Sequence, residues 1–72
     1  MLRRTDTEYQ EIVKEAESLE EKVNKLEEFL IKCRRSEVSD ITLPEIHTLE
    51  EQLHYMRGYL RTLKYRIEIV RS

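Results

Sequence analysis

Tyr55, Arg57, Tyr59, Arg61 and Arg66 fall within twelve residues of one another in a 72-residue chain. Their chemistry is recognition rather than bond-making: tyrosine rings stack on flat aromatic ligands, and guanidinium forks hold phosphates in bidentate fashion. On a helix, Tyr55, Tyr59, Thr62, Arg66 and Ile69 step by four and three and so form one row. Aromatic and arginine side chains are also enriched at protein interfaces. The row is therefore a candidate for a ligand, a protein partner or a subunit contact. For a phosphate-bearing ligand, replacing Arg66 by alanine is expected to abolish binding and leave the fold intact. Gly58, the chain's single glycine, lies among these residues in mid-helix, where it costs about 1 kcal/mol relative to alanine. Close approach of a ligand or of another backbone would offset that cost.

Other constellations are weaker. Glu51 and His54 stand in a Glu-x-x-His spacing of the kind that binds metal inside di-iron bundles, but both point away from the apolar stripe that contains Leu53, and the chain has no second copy of the motif. His47, Glu50 and His54 share a helical face and are read as solvated, with a metal as the lesser alternative. The adjacent pairs Glu20/Glu21 and Glu27/Glu28 diverge by about 100° on a helix, so they do not form a water-excluding acid/base pair. One glycine leaves no phosphate-cradling loop. No nucleophile has a neighbouring base. The expectation is a non-enzyme with no catalytic residues, no metal and no cofactor.

These residues are positioned by two heptad stripes. Tyr9, Ile12, Ala16, Leu19, Val23, Leu26, Leu30 and Cys33 alternate steps of three and four, and so do Ile46, Leu49, Leu53, Met56, Leu60, Leu63, Ile67 and Val70. Such spacing keeps each set on one face of an α-helix. The fold class expected is all-α: a two-helix antiparallel hairpin, coiled-coil-like, with helix 1 over about 7–34, a loop over about 35–42 and helix 2 over about 43–71. Residues 1–6 are expected to be flexible, and 7–71 to form one domain. Thr7 with Gln10, or Thr5 with Glu8, offers a capping box for helix 1, and Thr42 with Glu45 offers one for helix 2, with Pro44 tolerated in its first turn. Ser36, Ser39 and Asp40 compete for backbone hydrogen bonds between the helices. A loop centred near Val38 pairs Cys33 with Leu43, Val23 with Leu53, Ala16 with Leu60 and Tyr9 with Ile67, with the closest approach at Ala16.

Charge is abundant but balanced, 15 acidic against 13 basic residues, so neither general nucleic-acid affinity nor a disordered polyanion is indicated. Its distribution is informative. Glu8 to Glu28 holds eight Glu against three Lys, whereas His54 to Ser72 holds five basic residues against Glu68 alone. In an antiparallel hairpin these charges face each other and set register more than strength. No apolar run suits a signal peptide or a membrane span. The lone Cys33 continues the first stripe, reads as a buried core thiol and suits a reducing cytoplasm. A chain this short buries one stripe poorly, so the hairpin is expected to associate with itself, at least as a dimer forming a four-helix bundle.

The run Tyr9-Gln10, Val13, Glu15, Leu19, Glu21-Lys22, Lys25-Leu26 and Phe29, followed by Glu45, Leu49, Gln52-Leu53, Met56, Tyr59, Leu63 and Arg66-Ile67, resembles the small helical-hairpin proteins of the crAss-related phage protein family. The connection from Cys33 to Thr42 is longer than is usual there, and Tyr55 replaces a small residue. The resemblance implies a phage or prophage accessory protein of a bacterial cytoplasm. In build, though not in motif, the chain is similar to the helical sponges that sequester cyclic-nucleotide signals of the CBASS and Thoeris systems. The leading expectation is a host-defence antagonist, an oligomeric sponge using Tyr55, Arg57, Tyr59, Arg61 and Arg66. Two alternatives stay open: an oligomeric adaptor or inhibitor that binds a host protein through the same row, and an RNA-binding hairpin dimer similar to the plasmid copy-number regulators of the Rop type, which the acidic first helix disfavours.

Overall fold

Nothing between Arg4 and Arg34 interrupts helix formation, since this stretch holds neither glycine nor proline. In the computed structural model, which describes residues 4–71, helix α1 accordingly spans Arg4–Arg34. It begins three residues earlier than expected. Thr7 lies inside the helix rather than at its cap, and of the stretch expected to be flexible, Arg4 to Asp6 is helical; residues 1–3 lie outside the described residues. Helix α2 spans Leu43–Arg71, as its sequence signals require.

The turn between them is built by local hydrogen bonds. Ser36 adopts a left-handed backbone (φ 59°), which lets its N–H donate to the Cys33 carbonyl (3.1 Å) and the Glu37 N–H donate to the Lys32 carbonyl (2.9 Å). That pair of bonds is a Schellman motif, here with serine where glycine is usual. At the far side of the loop the expected capping box is present. The Thr42 N–H donates to Glu45 Oε2 (3.3 Å), and the Glu45 N–H donates to Thr42 Oγ1 (3.3 Å). Pro44 sits in the first turn, where no N–H is needed.

Both stripes meet in one core. Ile12, Ala16, Val23, Leu30, Cys33, Leu53, Leu60 and Leu63 are buried, so Cys33 is the core thiol expected. The register differs from the symmetric one. Tyr9 lies beside Val70, where Ile67 was expected, and the two edges, Glu27 with Arg57 and Glu15 with Tyr59, centre on that offset. The same offset brings Ala16 to the level of Leu63, the most completely buried residue at 0 % exposure, so the larger side chain fills the space that the small one leaves. The cause is the asymmetric turn: α1 stops in a tight Schellman motif while the chain from Glu37 to Thr42 runs on before the next cap, moving the pivot past Val38.

Candidate functional site

A coiled-coil seam has two edges, and in this hairpin they are built differently. On the first edge Lys64 lies 3.7 Å from Glu20, Arg57 2.8 Å from Glu27, and Arg34 2.9 Å from Glu50. The partners step by seven along both helices, so the pairs form a ladder at one repeating heptad position. Beneath it Ala16, Val23, Leu30, Leu53 and Leu60 are buried, while Ile46 and Ile67 toward its ends are only partly so. This is the interhelical pairing expected from the charge asymmetry. The last rung reverses sign.

The second edge is open. Leu19, Leu26, Leu49 and Met56 belong to the same stripes but are only partly buried there. Between the helices runs a groove of about 540 Å³ lined by Leu19, Thr48, Gln52, Tyr55, Met56 and Tyr59. At Thr48 it continues into a hollow of about 430 Å³ lined by Phe29, Ile41, Pro44 and Leu49. Both surfaces are chiefly apolar. Tyr59 donates its phenol hydrogen bond to Glu15 across the groove, and Tyr55 donates to Glu51 (3.2 Å). The Glu15 hydrogen bond pushes the Tyr59 phenol above its ordinary value, with lost hydration and the Glu15 charge adding and the Arg66 charge opposing.

On the outward side of α2 the same two tyrosines border a second depression. It measures about 390 Å³ and is lined by His54, Tyr55, Arg57, Gly58, Tyr59 and Arg61. Its floor is Gly58, where an added Cβ would meet nothing within 4 Å. The glycine is thus not demanded by packing inside the hairpin, and its missing side chain leaves a dish in the helix surface. Tyr55 remains 65 % exposed and Tyr59 46 %, so both rings are available to a ligand.

The structure therefore brings four of the five sequence candidates, Tyr55, Arg57, Tyr59 and Arg61, around Gly58, and separates Arg66 from them. Arg66 stands with Tyr59 and Glu15 on the open edge, where its charge bears on the phenol, so it reaches the dish only through Tyr59. Arg57 is shared with Glu27, which orients its guanidinium and partly spends its charge. His54 joins the dish although its spacing was weighed only for metal. The sequence signal that could have found it is its place one turn before Gly58. Among the described residues no group of three or more His, Cys, Asp or Glu is arranged to hold a metal ion, and no helix is long and apolar enough to cross a membrane.

Two aromatic faces, two guanidinium groups and an imidazole around a patch of bare backbone suit a flat ring with attached anionic groups. Stacking serves the ring, and charge-assisted hydrogen bonds serve the anions. A protein-family model described as Sequestin matches residues 6–69. No curated protein and no solved structure matches the chain.

Proposed function

The chain belongs to the Sequestin family, and on that premise we propose that it is a non-enzymatic sponge that sequesters a small cyclic-nucleotide-type signal. The family's name speaks of sequestration, and the single observation that carries the reading to particular residues is the dish over Gly58. A helix gives up about 1 kcal/mol to keep glycine there, and nothing in the hairpin requires it. Tyr55 and Tyr59 supply stacking surfaces, Arg57 and Arg61 bind phosphate oxygens, and His54 adds a hydrogen-bonding ring. No step of bond-making is assigned to any of them. Sequestration needs affinity and copy number, which a short, readily folded hairpin associating at least as a dimer provides. The biological setting in this reading is a phage or prophage antagonist of a nucleotide-signalling defence, acting in the bacterial cytoplasm.

Native mass spectrometry tests the reading. The protein is taken from cells in which such a defence is active, and the expected spectrum retains an adduct of nucleotide mass. Tyr55→Ala and Arg61→Ala should lose the adduct while keeping their helicity, and Arg66→Ala should keep most of it. Retention in both dish variants would remove the ligand from Gly58, and a ligand-free wild type that instead captures a stoichiometric host protein would replace the sponge with an adaptor.

A further inference from the structure

We infer that Glu15 of α1 is a positioning residue of the Gly58 dish: it lines neither the dish nor the groove, but by accepting the Tyr59 phenol hydrogen bond it fixes a ring that walls the dish. The inference rests on the proposed function for its ligand and deepens it, because a site carried by α2 is then completed from the other helix.

Tyr59 borders both the groove between the helices and the dish, so the torsion of one side chain sets how its face is presented to a ligand. Nearly half of the ring is in water, and an exposed side chain that nothing tethers exchanges between rotamers within nanoseconds. Tyr55, the other aromatic wall, is restrained locally. Its hydroxyl donates to Glu51 (3.2 Å), one turn back on the same helix, and its ring lies 5.8 Å from that of His54. Tyr59 has no equivalent on α2. The residues one turn to either side of it are Tyr55, Met56, Thr62 and Leu63. None is a carboxylate, and the Thr62 hydroxyl is turned to the Gly58 carbonyl (3.1 Å). The anchor of Tyr59 therefore comes from α1, 44 positions away in the chain.

Charge does not explain a carboxylate at this place. Beside a site for an anion, Glu15 costs affinity by its charge alone, so its contribution is geometric. A charge-assisted bond holds the phenol more firmly than a neutral one, and a ring already in its bound rotamer loses less freedom when a ligand stacks on it. Arg57 is held in the same way by Glu27 from the ladder edge (2.8 Å), so α1 steadies walls of the dish from both sides of α2.

The test combines two readouts: the Tyr59 χ1 populations of the ligand-free protein from NMR couplings, and titration with AMP, a flat ring bearing one phosphate. Wild type is expected to bind AMP and to hold Tyr59 in one rotamer. In Glu15→Ala the χ1 couplings should average and AMP should bind about two- to tenfold more weakly with helicity retained. Tyr59→Phe, which keeps the stacking face and loses the tether, should show the same loss, and the double variant no more than either. Glu15→Gln keeps a carbonyl acceptor and should recover most of the affinity. Unchanged or tighter AMP binding in Glu15→Ala, losses that add in the double variant, or an unaltered Tyr59 rotamer overturns the inference. Should Glu15→Ala lose helicity, Tyr59→Phe decides from the α2 side by the same criteria. A wild type that does not bind AMP while its Tyr59 rotamer responds to Glu15→Ala would fault the ligand reading and leave the tether standing.

Discussion

Along one edge of the hairpin Glu20, Glu27 and Arg34 meet Lys64, Arg57 and Glu50; along the other the opposite flanking heptad position offers Glu15, Lys22 and Phe29 to Tyr59, Gln52 and Glu45. The first set spans the seam with long side chains whose apolar stems lie over the core. The second set spans it once, through Tyr59 and Glu15, and leaves leucines and Met56 half-open. In the middle of the seam, where Ala16, Val23, Leu53 and Leu60 are closed and Leu19, Leu26, Leu49 and Met56 are not, flanking residues rather than the stripes decide which side is finished. The finished edge fixes register, and the unfinished edge is where the molecule offers apolar surface.

The largest expected effect breaks this comparison at its core. Leu30, 2 % exposed beneath the ladder, should cost about 2–5 kcal/mol when changed to alanine, and half-covered Leu26 roughly half as much, both read from urea unfolding. Equal losses at low protein concentration would erase the distinction between the edges. Next comes Gly58→Ala, which should stabilise the hairpin by about 1 kcal/mol and still weaken nucleotide retention. A destabilised Gly58→Ala would mean that the glycine serves the fold after all.

The ladder itself is a smaller matter. A double-mutant cycle on Glu27 and Arg57 should give about 0.2–1 kcal/mol, falling with salt, because both side chains remain partly in water. The smallest effect concerns the Tyr59–Glu15 bridge of the open edge. Since the folded state raises the Tyr59 pKa, the bridge's contribution is complete below the unfolded value of about 10 and is lost as pH climbs through the folded one. Ultraviolet titration should show Tyr59 ionising above the ordinary phenol value, earlier in Glu15→Gln and later still in Arg66→Ala. An unchanged titration in Glu15→Gln would show that the bridge is not formed.

Much of the fold was legible because it rests on local, periodic signals. Alternating steps of three and four place side chains on one helical face wherever the chain lies, and Thr42, Pro44 and Glu45 cap α2 through contacts three residues apart. The start of α1 was less legible, because Thr5 and Thr7 carry the residue types of a cap and nothing local forbids the helix from running past them. For the candidate site, the cluster of tyrosine and arginine was visible from composition, but its membership was not. Arg57 and Arg66 looked alike in the sequence. One crosses the seam to Glu27 and borders the dish, whereas the other stands on the opposite edge beside Tyr59.

Heptad periodicity, the capping residues and charge balance by themselves determined two matched amphipathic helices, their antiparallel pairing and a burial pattern that includes Cys33. A heptad pattern, however, is unchanged in hydrophobic character when one helix slides along the other, so register is invisible to it. Only the tertiary structure, through the Ser36 turn, the ion-pair ladder and the Tyr59–Glu15 bridge, decided that Tyr9 meets Val70 and that the middle of one edge is closed and that of the other open. Those outcomes depend on contacts between residues 16 to 61 positions apart, where loop geometry and side-chain reach, not local spacing, select the partner.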